Sequence, residues 1–181
     1  DQTSDLNVIQ TGITEEIDEI SSDLLFLTKQ NDLIDYLELP YQYYRDQIGY
    51  EYFHFAILKE KYSQLRFLDE HGMELVRVNF RDDKAQIVPN DQLQDKSTRY
   101  YFEETIKLDR GEIYISPFDL NIENGMVEEP YNPMIRFGTP VFNSEGEVKG
   151  AIILNYSGSR LISLLKDEGF STGSEFFLVN S

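Results

Sequence analysis

The stretch Q-L-R-F-L-D-E-H-G-M-E-L-V-R-V-N-F, Gln64–Phe80, decides the fold. Before Ser63 the apolar residues recur at helical spacing, and from here the period is that of strands. Gln64–Asp69 and Glu74–Phe80 are short β-rich runs. Between them stands Asp69-Glu70-His71-Gly72, whose glycine supplies the positive φ that a hairpin turn needs. The chain passes at this point from helices to an antiparallel sheet, which is the α+β class.

Upstream, Leu6, Ile13, Ile17, Ile20, Leu24, Leu27 and Ile34 fall at alternating steps of three and four once Gln10 and Asn31 are counted in the frame. That is a heptad seam, with Glu15, Glu16, Asp18 and Glu19 on the outer face. A helix of roughly thirty residues, about 45 Å long, is expected. Two readings of the seam stand open. It packs on its own domain, or it pairs two copies of the chain, Asn31 then fixing the register. Pro40 ends the segment. A second helix is expected from about Tyr41 to Lys59, with Tyr44, Ile48, Tyr52 and Phe55 on its apolar face.

Downstream, Arg81–Asn90 reads as polar loop and Asp91–Leu108 as helix, closed by Asp109-Arg110-Gly111. Glu112–Ser116 is a strand, Pro117–Asn132 a long loop, and Met134–Asn143 and Glu147–Ser157 two strands joined by a glycine turn. Pro140 demotes its part of the strand to an edge or a bulge. A short helix follows over Ser159–Asp167, and Glu175–Val179 begins another strand. Five antiparallel strands result, each alternating enough to bury one face, with flanking helices and one helix between the second and third.

Composition narrows the function. The chain has 181 residues, 33 acidic against 16 basic, and a formal net charge of −17. Such a surface repels phosphate backbones and anionic lipid, which excludes nucleic acid and peripheral membrane binding. Tyr and Phe number 12 each, which disordered acidic chains lack. With no cysteine, disulfides, thiolate metal sites and thiol nucleophiles are excluded. No apolar run reaches the length of a membrane span, and Asp1 is not a natural start residue. The sequence therefore reads as a piece of a longer protein, tied to a membrane only through anchors outside it. His54 and His71 make no catalytic spacing, and no cofactor is expected. Asp119, Asn121, Glu123 and Glu128 hint at a calcium loop. The spacing fails, since glycine comes one place late at Gly125 and Pro130 holds the position of the terminal glutamate.

What remains is a dense run of rings and arginines on short strands: R-Y-Y-F at Arg99–Phe102, E-I-Y-I-S-P-F-D-L-N at Glu112–Asn121, P-M-I-R-F at Pro133–Phe137 and G-A-I-I-L-N-Y at Gly150–Tyr156. Rings wall a pocket and an arginine fork grips a carboxylate. A receptor for a small molecule is expected, and catalysis is not.

The order of long helix, hairpin, helix and three-strand meander resembles the extracytoplasmic Cache family of sensors, whose modules have a PAS-like sheet. Tyr62–Asp69 with Gly72–Asn79 resembles the family's opening hairpin, Tyr114-Ile115-Ser116-Pro117 with Asp119-Leu120-Asn121 its third strand and loop, and Pro133–Phe137 through Asn155-Tyr156 its last two strands. The resemblance implies the extracytoplasmic, ligand-sensing part of a membrane receptor, whose output is a histidine kinase, a diguanylate cyclase or a chemotaxis transducer. It implies a helical stalk over 1–60, a ligand-binding module over 61–172 and the start of a second module at 173–181. A homodimer through the N-terminal helix accompanies it. A structural dimerisation module without a ligand is the alternative.

Arg99, Tyr101 and Phe102 sit at positions similar to the arginine-and-two-aromatics motif of amino-acid-binding Cache modules. There the arginine holds the ligand carboxylate and the rings close over it. Where that motif ends in an aspartate for the ligand ammonium, this chain has Asn155, which implies a carboxylate or another small polar metabolite in place of an α-amino acid. Tyr114, Ser116, Phe118 and Asp119 fall where the family's pocket loop begins, although Ser-Pro and Asp are also ordinary turn formers. Arg136 lies among apolar residues of its strand and, taken alone, faces solvent somewhat more readily than a pocket.

Overall fold

The computed structural model describes residues 2–123 and 125–167. Three helices come first: α1 (Gln2–Leu27), α2 (Asn31–Glu38) and α3 (Gln42–Lys59). Then follow strands β1 (Tyr62–Asp69), β2 (Glu74–Arg81) and β3 (Lys84–Ile87), a 3₁₀ turn at Asn90–Gln92, and the short helix α4 (Tyr100–Thr105). Strands β4 (Tyr114–Ile115), β5 (Asp119–Leu120), β6 (Ile122–Glu123), β7 (Met126–Val127), β8 (Pro133–Phe142) and β9 (Val148–Ser157) lead to α5 (Gly158–Asp167). The main sheet has the order β3-β2-β1-β9-β8-β4, with β5 also on β8, and every pairing is antiparallel. The expected α+β class, PAS-like sheet and opening hairpin are all present. Gly72 has φ +91°, and a Cβ there would lie 2.5 Å from the backbone of Ser97.

The seam of α1 faces its own sheet. Ile20, Leu24 and Leu27 are fully buried in the core formed with Leu65, Phe67, Val78, Ile152 and Leu154, and Ile13 and Ile17 pack against it. This is the intramolecular reading. The seam also stops earlier than its spacing suggests. Thr28 bonds back to the Leu25 carbonyl through both its hydroxyl, 2.6 Å, and its N–H, 3.2 Å, so the helix tightens and ends. Asn31 is then the exposed first residue of α2, and Ile34 is exposed as well. The α1 helix is further tied to the start of β1: the Tyr62 hydroxyl donates to Asp23, 2.6 Å, and Lys61 pairs with Glu19, 2.9 Å.

Two other expectations are corrected. Arg81–Asn90 is not all loop: Asp82 and Asp83 both take positive φ, 50° and 58°, and turn the chain into β3. A pair of left-handed residues suits the right-handed twist of a hairpin, and aspartate tolerates it. Asp91–Leu108 is not one helix. Asp95 accepts from the Ser97 N–H, 2.8 Å, and Gln94 N–H is drawn to Glu74, 2.9 Å, while Lys96 N–H reaches the Gly72 carbonyl, 2.8 Å. These bonds hold the segment extended along the hairpin, and only Tyr100–Thr105 is left helical. Pro140 does lie at a local edge, because β4 reaches β8 only as far as Gly138. The strand expected at Glu175–Val179 and the second module at 173–181 lie outside the described residues.

Strands β1, β8 and β9 are buried on both faces, contrary to the one-sided burial expected of them. The apolar face meets α1, α2 and α3. The second face is covered by α4 and the Pro117–Asn132 segment. Gly138 permits the close approach of α4, since a Cβ there would collide with Thr105 Oγ1 and Ile153 Cδ1.

Under the helical layer, Glu51 of α3 is half-buried and its Oε2 is buried without a partner among the described residues. Burial, followed by the neighbouring carboxylate of Asp32, pushes its pKa up to about 7. A raised carboxyl pKa means that the native state holds the proton longer than the unfolded chain, so stability falls as pH rises from about 4.3 towards 7. Glu51→Gln removes the ionisation. It is expected to raise the melting temperature at pH 7.5 and to leave it nearly unchanged at pH 4.5, as measured by thermal unfolding at both values.

Candidate functional site

The second face of the sheet carries a polar row. Register places Asn79 of β2 opposite Gln64 of β1, Gln64 opposite Asn155 of β9, and Asn155 opposite Arg136 of β8. Directly opposite residues in antiparallel strands point to the same side, so the row crosses four strands. Next to it, Arg66 of β1 faces Arg77 of β2. Arg66 and Arg136 are each 1% exposed, Asn155 is fully buried, and Arg77 and Gln64 are buried.

A buried guanidinium needs acceptors for its fixed fork of N–H groups. Arg66 donates to Asn155 Oδ1 at 3.3 Å, to Gln64 Oε1 and to the Tyr101 hydroxyl at 3.5 Å, and its Nε lies 3.2 Å from Glu74. Arg77 pairs with the other oxygen of Glu74 at 2.9 Å. Arg136 donates to Asn121 Oδ1 at 3.3 Å and to the Tyr100 hydroxyl at 3.4 Å, with Asp119 at 3.8 Å. The ring of Tyr101 stands among three guanidiniums: the Cζ atoms of Arg136, Arg99 and Arg66 lie 5.0, 5.6 and 5.9 Å from its centroid. Cation–π attraction favours that packing, more so where water is excluded.

The charges do not balance. Among the described residues, three buried arginines face one fully buried carboxylate, Glu74, while the Asp119 side chain is 38% exposed. The Nε atoms of Arg136 and Arg77 are buried without a partner among the described residues. Burial lowers the pKa of Arg136, and the like charge of Arg66 adds to the effect against the opposing pull of Tyr100. Among the described residues, the buried guanidiniums of this floor outnumber its fully buried carboxylates.

Beside this floor opens a cleft of about 600 Å³, bounded by Gln64, Arg77 and Asn79 of the sheet and by Asn121, Glu128 and Asn132 of the covering segment. Glu128 holds that wall together. Its carboxylate accepts from Asn121 and Asn132, each at 3.0 Å, and pairs with Arg81. Burial opposes its ionisation, but these bonds overcome it and keep its pKa below the usual carboxylate range.

Of the residues singled out from sequence, Tyr101, Asp119, Arg136 and Asn155 meet on the floor. The solvent-facing reading of Arg136 is overturned, because Asn121, Tyr100 and the Tyr101 face enclose its guanidinium. Arg99 is half-buried and reaches the Tyr101 ring from outside. Phe102 and Tyr114 belong to a small apolar cluster with Leu68, Ala151 and Ile153. Ser116 accepts the backbone N–H of Arg136 at 2.8 Å and fixes the segment to β8. The Phe118 ring lies over Gly158, where a Cβ would meet it at 2.5 Å. None of the nine lines the cleft itself. Gln64, Arg66, Glu74 and Tyr100 were not singled out. The usable signal was Gln64 and Arg66 two apart in β1, placing polar groups on one face of a strand whose neighbours are apolar.

A family model described as "Bacterial histidine kinase, sensor domain" matches residues 3–178. No curated protein sequence matches the chain. Among solved structures, the chain is similar to the domain of a protein assigned to the sensory box/GGDEF family from Vibrio parahaemolyticus, with 27% identity over 90% of this chain and 61% of that one, and a TM-score of 0.81. It is similar at 27% identity to the extracellular domain of vpHK1S-Z8, a protein assigned to the histidine kinases, over 90% of this chain and 58% of that one, with a TM-score of 0.80. The ligand-binding domain of the Campylobacter jejuni chemoreceptor Tlp3, solved in complex with L-valine, shares the fold at 15% identity, over 93% of this chain and 63% of that one, with a TM-score of 0.72. The chain spans about three-fifths of the length of these solved relatives.

Among the described residues Glu74 is the fully buried carboxylate that pairs with both Arg66 and Arg77, and its loss removes the buried negative charge between them. Glu74→Gln is expected to cost about 3–5 kcal/mol in denaturant unfolding at pH 7. A cost below about 1 kcal/mol would show that the arginines find other acceptors or water.

Proposed function

The chain belongs to the bacterial histidine kinase sensor-domain family, and as the extracytoplasmic ligand-sensing domain of a membrane receptor, we propose, it binds a small carboxylate at the arginine floor. The observation that carries this reading is the surplus of buried positive charge at Arg66, Arg77 and Arg136 over Glu74. The side-chain oxygens of Gln64 and Asn121 now accept from Arg66 and Arg136 and stand between them and the cleft. A carboxylate is the stronger acceptor and can take those N–H groups from the amides. Tyr101 supports the forks, Tyr100 and Asp119 border them, and Arg99 closes the outer side of the ring. Phe102, Tyr114, Ser116 and Phe118 hold the walls in place. The L-valine of Tlp3 does not transfer to this chain on the fold alone. Here both amide atoms of Asn155 are engaged, Oδ1 by Arg66 and Nδ2 by Gln64 at 3.0 Å, so an ammonium finds no carboxylate at that position.

The path from site to output is short in this reading. Lys61 and Tyr62 line the cleft and bond Glu19 and Asp23 of α1. A ligand with different affinity for two settings of this junction shifts the receptor between them. The whole receptor transmits through a histidine kinase, as the family name favours, with a cyclase or a chemotaxis transducer as rivals. It dimerises along α1, using the face that carries Val8, Thr11, Asp18 and Phe26, because the seam is occupied by the core. Sedimentation of the domain across a concentration series is expected to show a monomer–dimer equilibrium that Phe26→Glu shifts to monomer. A monomer at every concentration would remove α1 as an interface within the isolated domain.

Succinate and other small carboxylates, added at a hundredfold excess over Kd, are expected to stabilise the domain by about 2.7 kcal/mol in thermal-shift measurements. Arg136→Gln is expected to weaken binding at least tenfold in calorimetric titration, and Arg99→Ala less, with folding checked by circular dichroism. Unchanged affinity in Arg136→Gln would take the floor out of the site.

A further inference from the structure

The cleft has a chemistry of its own beyond the arginine floor. Six carboxamides line it: Gln64, Asn79, Gln86, Gln94, Asn121 and Asn132. A carboxamide offers both a donor and an acceptor, and the small group that complements both at once is a hydroxyl. We infer that the cleft takes a hydroxylated carboxylate, a sugar acid or a hydroxy acid, in preference to a bare or an amino carboxylate. The inference rests on the carboxylate reading above and specifies the rest of the ligand.

The internal bonds orient several of these amides. Gln64 Nε2 donates to Asn79 Oδ1 at 3.1 Å, which turns the Asn79 Nδ2 donor away from that bond. Glu128 takes the Nδ2 groups of Asn121 and Asn132 and so fixes which end of each amide is an acceptor. Asn121 Oδ1 already serves Arg136. Asn79 Nδ2, Asn132 Oδ1 and the exposed Gln86 amide form no hydrogen bond among the described residues; Asn79 and Gln86 stand opposite each other on β2 and β3, and Asn132 belongs to the covering segment. Ordered donors and acceptors at separate points read the hydroxyls of a polyol chain or ring. Phe80 adds an aromatic wall for the carbon face of such a solute.

Charge selects against an ammonium. The two carboxylates on the cleft are Glu60 and Glu128. Glu128 is filled by Asn121, Asn132 and Arg81, and Glu60 is exposed at the rim. Arg77, whose buried Nε has no partner among the described residues, is the arginine of the floor that also lines the cleft. A volume of about 600 Å³ lies within the range of small-molecule sites and accommodates a hexose acid.

The test is calorimetric titration of the 181-residue domain with D-gluconate and D-galacturonate, against succinate, L-alanine and D-glucose. At least one of the two sugar acids is expected to bind tenfold or more tighter than succinate and L-alanine. Gln86→Ala and, separately, the near-isosteric Gln86→Leu are expected to weaken sugar-acid binding at least threefold and to leave succinate binding unchanged. Succinate binding as tightly as both sugar acids would overturn the hydroxyl inference and leave the carboxylate reading standing. Sugar-acid binding that neither variant alters would overturn it as well. Absence of binding by any carboxylate, or D-glucose binding as tightly as the acids, would overturn both.

Discussion

Burying guanidinium groups on a β-sheet is the constraint from which the rest of this structure follows. Each arginine brings a fork of N–H groups and a charge that cannot be left without acceptors away from water. Arg66, Arg77 and Arg136 therefore recruit Glu74, Gln64, Asn155, Asn121 and the two tyrosines of α4. Glu74 in turn draws the Gln94 N–H, and that bond helps keep the segment before α4 extended along the hairpin. The position of α4, and with it the Tyr101 ring, is thus coupled to the same charges that make the floor.

The two faces of the sheet divide the work. One is hydrocarbon, packed under α1, α2 and α3, and supplies the stability of the domain through apolar burial. The other is polar and held shut by hydrogen bonds, with a solvent cleft at its margin. The donors and acceptors of this face are ordered by bonds to one another. The same cleft touches Lys61 and Tyr62, the residues through which the start of β1 grips α1.

Much of the fold was legible because periodicity is a local property. The change of period at Ser63, the Gly72 turn and the paired strands after Pro133 reappear in the structure. Misreadings fell where a distant partner overrode local preference. The helix expected over Asp91–Leu108 lost its first half to bonds with Glu74 and Gly72, residues of another element. The hairpin into β3 was hidden because its turn uses Asp82-Asp83 where glycine or asparagine is the usual sign. On the polar face, Tyr101, Asp119, Arg136 and Asn155 were readable from the aromatic and arginine run, whereas nothing local in the hairpin marked Arg66 and Glu74, which meet only when β1 and β2 pair.

By itself the sequence determined the class of fold, the absence of cysteine from the chain, and a formal net charge of −17. These depend on composition and on short-range spacing, which the chain carries before it folds. Only the tertiary structure decided which arginines are buried, that Gln64, Asn155 and Arg136 form one row with Asn79, and that the α1 seam is consumed within its own domain. Register across four strands joins residues as far apart as Gln64 and Asn155, and the free energy of a buried charge depends on those neighbours, not on the residues beside it in the chain.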